Sequence, residues 1–295
     1  MKPWSDPCTR RAVLAGLAGS ALAPLGARTG MYQPLLAAQT SVWLPLTSGP
    51  EPALAGMARA GYERVVLDAA FTTPDVAAVT RAALRQHRLT PAMVALDVAW
   101  EAMAEAARPW KDAGATAVEV RPAVAADARL EADARRLNQL GNDLERLGLR
   151  LIVRSTAATL ARDAHAWGVL VRNTEAPIVR LAIDVGAALE AAAAPRALID
   201  AASPRLDAVV LRSRRGGRDL EEIGEGQPDM PRLATALRRM LYDGYLVVDL
   251  PPGVHRTQTV AMTLAHSRWY VHQVFGMRPG ATPVDMGPHV RTHRQ

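Results

Sequence analysis

Short apolar runs alternate with longer amphipathic stretches along most of the chain. The short runs are rich in β-branched residues and fall at Ser41–Leu44, Arg64–Asp68, Pro91–Asp97, Ala115–Arg121, Arg150–Arg154, Val179–Asp184, Ala208–Arg212 and Tyr245–Leu250. Brief, nearly continuous apolar runs suit strands buried on both faces. The stretches between them have helical spacing. The clearest is Asp127–Leu147, where Leu130, Leu137, Leu140, Leu144 and Leu147 form one stripe. Gly148 follows it and suits a helix end. Gly61, Gly114 and Gly244 stand just ahead of strands, and Pro74 and Pro231 suit first helical turns. Strict strand–helix alternation predicts parallel strands joined by right-handed crossovers. Eight units over about 250 residues fit an α/β fold of the closed (β/α)8 TIM-barrel type. An open, doubly wound sheet is the alternative. It would normally carry a Gly-rich phosphate turn after its first strand, where this chain has Pro45-Leu46-Thr47-Ser48-Gly49-Pro50.

The first forty residues read differently. Thr9-Arg10-Arg11-Ala12-Val13-Leu14 opens a weakly apolar run from Ala12 to Ala27. An arginine pair followed by such a run resembles the twin-arginine export signal of bacteria. The competing reading is an ordinary N-terminal helix with a chance arginine pair. The expected organisation is a signal over 1–38, a barrel over 39–276 and a tail over 277–295, the last rich in Pro, Gly, His and Arg. Ala23, Ala27 and Ala38 are the candidate cleavage points. Export implies a periplasmic protein. Because this route carries folded chains, it is compatible with a cofactor, a fast-folding core or a co-exported protein partner. An uncleaved signal would leave a membrane tether.

Composition narrows the field. At 295 residues and 49% hydrophobic, the chain is too apolar for disorder. No apolar run approaches the roughly 20 residues of a membrane span. The single cysteine, Cys8, excludes a disulfide scaffold and a cysteine-rich zinc site. The net charge is +6, but the arginines are interspersed with acids, and there are only five Tyr and two Phe. A nucleic-acid binder would show a dense basic stripe with stacking aromatics, so nucleic acid is not an expected partner.

In a barrel of this kind, chemistry sits at the C-terminal ends of the strands. The expected ends are Asp68, Asp97, Arg121, Arg154, Asp184, Arg212 and Asp249, four acidic and three basic. Pointing inward, they would crowd one mouth and need mutual pairing to offset desolvation. Shifted by one residue, they would face the loops instead.

Several pieces carry a resemblance in order. They are Ala60-Gly61-Tyr62-Glu63-Arg64-Val65-Val66, Leu137-Asn138-Gln139-Leu140-Gly141, Leu147-Gly148-Leu149-Arg150-Leu151, Leu181-Ala182-Ile183-Asp184-Val185-Gly186, Ile223-Gly224-Glu225-Gly226-Gln227-Pro228-Asp229 and Asp243-Gly244-Tyr245-Leu246-Val247-Val248-Asp249. Together they resemble the xylose isomerase-like barrels, specifically the sugar phosphate isomerase/epimerase family. The resemblance implies one divalent ion, Mg or Mn, at the mouth. Its ligands would be a Glu after strand five, an Asp after strand six, a His after strand seven and a Glu ending strand eight. Such an ion polarises a sugar carbonyl or hydroxyl while a flanking group moves a proton.

The chain departs from that pattern. Arg154 stands at the strand-five position, with Thr159 where some members place their Glu. Asp184 matches, Ala187 replaces a frequent His, the strand-seven His falls near Val210, and Asp249 replaces Glu. A guanidinium beside the ion would repel it and cannot lose its proton.

Two readings follow. In the first, the protein is a sugar or sugar-acid isomerase, epimerase or lyase. Asp184 and Asp249 would be catalytic or would hold a metal, and Arg121, Arg154, Arg212 and Glu225 would bind a carbohydrate or anionic substrate. In the second, it is a non-catalytic binding or subunit protein with a salt-bridged mouth and no cofactor. The basic segment Arg212–Arg218 is then either a docking element or a solvated loop. None of the seven His residues ends an expected strand. His165 and His255 sit on loops that could reach the mouth, His87 on an outer helix, and His266 and His272 on the last helix.

Overall fold

The computed structural model describes residues 32–47, 49–121, 127–156, 168, 171–252 and 257–277. The arginine pair, Cys8, Thr159, His165, His255 and the tail beyond Met277 lie outside the described residues.

Eight parallel strands close into a barrel. They are β1 (Leu35–Gln39), β2 (Arg64–Leu67), β3 (Thr90–Ala95), β4 (Ala117–Val120), β5 (Arg150–Arg154), β6 (Val179–Asp184), β7 (Leu206–Leu211) and β8 (Tyr245–Val248). β8 pairs with both β7 and β1, which closes the ring. The helices packed outside are α1 (Pro50–Arg59), α2 (Pro74–Gln86), α3 (Trp100–Asp112), α4 (Asp127–Arg146), α5 (Val185–Glu190), α6 (Pro195–Ala202), α7 (Met230–Arg239) and α8 (Thr257–Phe275). A short antiparallel hairpin, Arg214–Arg215 with Arg218–Asp219, is inserted after β7.

The first strand is a correction. Ser41–Leu44, with its Val and Trp, reads as a strand, but Thr40–Trp43 is a 3-10 helix and Trp43 is buried beneath α1. The strand lies upstream, in Leu35–Gln39, where apolar but non-β-branched residues merge with the signal-like region. The barrel therefore begins before residue 39, and Ala38 is a buried ladder residue paired with both Val248 and Val65. β5 and β6 have the expected bounds. The strands after β1 other than these differ by one or two residues at one or both ends.

The core has two shells. Between strands and helices lie Trp43, Leu54, Met57, Trp110, Leu137, Leu144 and Phe275. Inside the barrel lie Ala37, Val66, Ala92, Met93, Ala117, Ile152, Ala182, Ala208, Val210, Tyr245 and Val247, five of them alanine. The helix stripe on α4 is buried at Leu137, Leu140 and Leu144. Gly148, at φ +72°, turns the chain from α4 into β5 in a conformation that favours glycine. Near the N-terminal ends of β5–β7, Asp207 accepts hydrogen bonds from Arg150 and Arg180. Among the described residues, no helix is long and apolar enough to cross a membrane.

Candidate functional site

The period of two along a strand decides what enters the mouth. Ala37, Val66, Ala117, Ile152, Ala182, Val210 and Val247 face the barrel interior. Two residues further along their chains stand Gln39, Asp68, Glu119, Arg154, Asp184, Arg212 and Asp249. Each belongs to the same face, one layer nearer the C-terminal end.

Arg154 is the centre of that layer, with only 3% of its surface exposed. Its Nη2 donates to Asp184 Oδ2 and to Asp249 Oδ2, each at 2.6 Å. Its Nη1 lies 3.6 Å from Glu119 Oε1 and 3.5 Å from Gln39 Oε1. Arg212 Nη2 donates to the same Asp249 Oδ2 at 2.6 Å and lies 4.0 Å from Asp184 Oδ2. Ser41 donates to Asp249 Oδ1 at 3.1 Å. Asp184 Oδ1 accepts from the backbone N–H of Ala187 and so caps α5. Gly186 makes room for the neighbouring guanidinium stem. A β-carbon there would meet Arg212 Cδ at 2.7 Å and Cβ at 2.8 Å.

The electrostatics follow from these pairings. Burial opposes the ionisation of Asp249, yet Arg154 and Arg212 hold its carboxyl well below the usual carboxylate range. Burial likewise opposes the Arg154 charge, but Asp184, Glu119 and Asp249 raise its pKa well above that of a free guanidinium. The Arg212 pKa is raised in the same way by Asp249 and Asp184, against the opposing effect of burial. A carboxylate held so firmly ionised is a poor proton acceptor near neutral pH.

The structure brings Asp184, Asp249, Arg154 and Arg212 together, as their strand ends suggest. Arg121 stands at the rim, half-exposed, donating to Glu119 at 2.8 Å and lying 3.9 Å from Asp68. Asp97 is exposed beyond β3. Glu225 is outside the buried cluster, on the surface beside Arg215 at 3.5 Å. Arg214 of the basic segment is engaged with Glu190 and Asp219. His87, just after α2, pairs with Glu51 at 3.0 Å, and His266 and His272 lie on α8.

Two members of the layer escape a reading of strand ends alone. Glu119 is buried within β4, two residues before Arg121 and on the same face. Its position was visible in that spacing. Gln39 is hidden in the sequence because β-prone Val42 and Trp43 draw the first strand downstream of its true position at Leu35–Gln39. Glu119 Oε2 and Gln39 Nε2 are buried without a hydrogen-bond partner.

No family model matches the chain, and no curated protein matches it either. Solved structures do. A sugar phosphate isomerase/epimerase from Parabacteroides distasonis ATCC 8503 is 14% identical, with a TM-score of 0.64 over 85% of this chain and 96% of its own. A xylose isomerase domain protein from Alicyclobacillus acidocaldarius is 16% identical, with a TM-score of 0.62 over 83% and 98%. The IOLI protein, which holds a zinc atom, is 12% identical, with a TM-score of 0.66 over 82% and 98%. The fold is that of the xylose isomerase-like TIM barrels. At identities this low the likeness establishes fold, and the site must argue for itself.

In this barrel the donor set does not fit a divalent ion. Asp184 and Asp249 both turn an oxygen to Arg154 Nη2. An ion seated between them would face that guanidinium, with Arg212 behind it. The repulsion at such distances is several kcal/mol even at an effective dielectric constant of about 20. Among the described residues, no group of three or more His, Cys, Asp or Glu side chains is arranged to hold a metal.

Proposed function

We propose that this xylose isomerase-like barrel is an exported, non-catalytic binding or subunit protein, with a mouth held shut by its own ion pairs. The carrying observation is that Arg154 Nη2 stands 2.6 Å from both Asp184 and Asp249. The two carboxylates best placed for metal binding or proton transfer are thereby spent on an internal cation. The three mouth arginines are committed too. Arg121 faces Glu119, and Arg154 and Arg212 face Asp249. A clamp for an anionic substrate would have to break those pairs. The Arg10-Arg11 segment supports export to the periplasm, where a co-exported protein is the natural partner.

The second reading is a sugar isomerase or epimerase acting by metal-assisted proton transfer. The presence of both Asp184 and Asp249 favours it, as does the name of a structural neighbour. Calorimetric titration of the purified barrel with Mn2+ and Mg2+ near pH 7, beside isomerase assays on aldoses, ketoses and their phosphates, separates the two. The proposal expects neither binding at the mouth nor turnover. Divalent binding abolished by Asp184→Ala, with turnover that depends on it, would establish the enzyme.

A further inference from the structure

At the N-terminal end of the barrel, opposite the Arg154 layer, a cavity of about 480 Å3 opens between the entries to β1 and β2 and the last turns of α8. That volume falls in the range of small-molecule pockets. Backbone hydrogen bonds from Gln33 to Tyr242 and from Leu35 to Gly244 fix the β1 wall. Pro34, Leu35, Leu36 and Met277 supply apolar surface. Arg268 and His272 stand four residues apart on α8, and both line the cavity from one helix face. Arg268 is half-buried and, among the described residues, forms no salt bridge. Two further polar atoms, Tyr32 Oη and His272 Nδ1, are buried without a hydrogen-bond partner. Burial pushes the Tyr32 hydroxyl up to about 12, so near neutral pH it remains an O–H donor. Burial and Arg268 lower the His272 pKa, leaving a neutral imidazole that can present Nδ1–H. The remaining charges of the lining, Arg64 and Glu63, lie 3.8 Å apart and offset each other. The balance is one uncompensated guanidinium beside unused donors and an apolar wall.

We infer that this cavity binds a small organic anion, a carboxylate on an apolar body, with Arg268 as its charge partner and Tyr32 Oη as a second donor. Buried, unpaired donors gain most from an acceptor that carries charge. A carboxylate supplies acceptors for Arg268 and for the neutral donors, and Pro34, Leu35 and Leu36 bury the apolar body. A cation would be repelled by Arg268, and a fully polar ligand would leave the apolar wall uncovered. Such binding requires no metal and no opening of the mouth, and so stands apart from the closed-mouth reading.

The test titrates the full chain with benzoate, phenylacetate and hexanoate, each beside its own amide, by ligand-observed NMR and calorimetry. At least one acid is expected to bind, about tenfold or more tighter than its amide. Arg268→Gln should bring that acid down to the affinity of the amide. Tyr32→Phe deletes one hydroxyl from a half-buried ring and should weaken binding about fivefold. This second variant keeps the test open if Arg268→Gln does not fold. Arg232→Gln, on exposed α7, serves as the control and should change nothing. Failure of all three acids to bind wild type overturns the inference. So does an acid that binds no better than its amide, or binding that Arg268→Gln and Tyr32→Phe leave unchanged.

Discussion

Asp249 carries more of the network than any other acid in the mouth, accepting from Arg154, Arg212 and Ser41. Replacing it by Asn leaves the buried Arg154 guanidinium and the part-buried Arg212 guanidinium short of a counter-charge. Removing one partner of a buried pair costs about 3–5 kcal/mol, and urea unfolding of Asp249→Asn should show a loss of that order. The pH dependence has a definite sign. The Asp249 carboxyl is held below its unfolded value, so its contribution is complete above about pH 4 and disappears as pH falls toward the depressed native value. The urea midpoint of wild type should therefore drop below about pH 4, and the drop should be smaller in Asp249→Asn. A wild type whose midpoint is flat across that window would show that Asp249 is not paired. Gly186→Ala tests the second arginine. Its new β-carbon meets the Arg212 stem at 2.7–2.8 Å. The expected cost is about 1–3 kcal/mol, and an unchanged melting temperature would place Arg212 elsewhere.

At the scale of elements, the first strand matters most. β1 pairs with β8 on one side and β2 on the other, so its loss opens two edges in a closed ring. A chain starting at residue 39 should fail to give a cooperative thermal transition, whereas one starting at residue 32 should melt like the longer protein. Equal transitions for both would remove β1 from the barrel. Under the export proposal, cleavage at Ala38 would cut inside this strand, and N-terminal sequencing of the exported protein should place the cut upstream of Leu35. The same strand shows where sequence reading falters. Leu35-Leu36-Ala37-Ala38-Gln39 lacks β-branched residues and lies beside an apolar leader-like run. Val42 and Trp43 attract the assignment because they are β-prone, but both are buried through a 3-10 turn. Elsewhere the alternation is plain, since β5 and β6 are bounded by polar turns and helix caps. Charged strand ends were legible as a class. Their facing was not, because one residue of register reverses it. The small interior residues Ala37, Ala117 and Ala182 supply the missing clue to parity, and only the closed ring shows which layer they occupy.

For the whole molecule, the barrel mouth is a layer of paired charges centred on Arg154, above an apolar interior. The strand ends of the barrel supply the positions, and Arg154 fills the centre of the layer. The most direct measurement is anomalous diffraction from crystals of the wild-type protein soaked in Mn2+. The account predicts the Arg154 guanidinium within hydrogen-bond distance of both Asp184 and Asp249, with no anomalous peak between them. A manganese peak seated on those two carboxylates, with Arg154 turned out of the mouth, would contradict it.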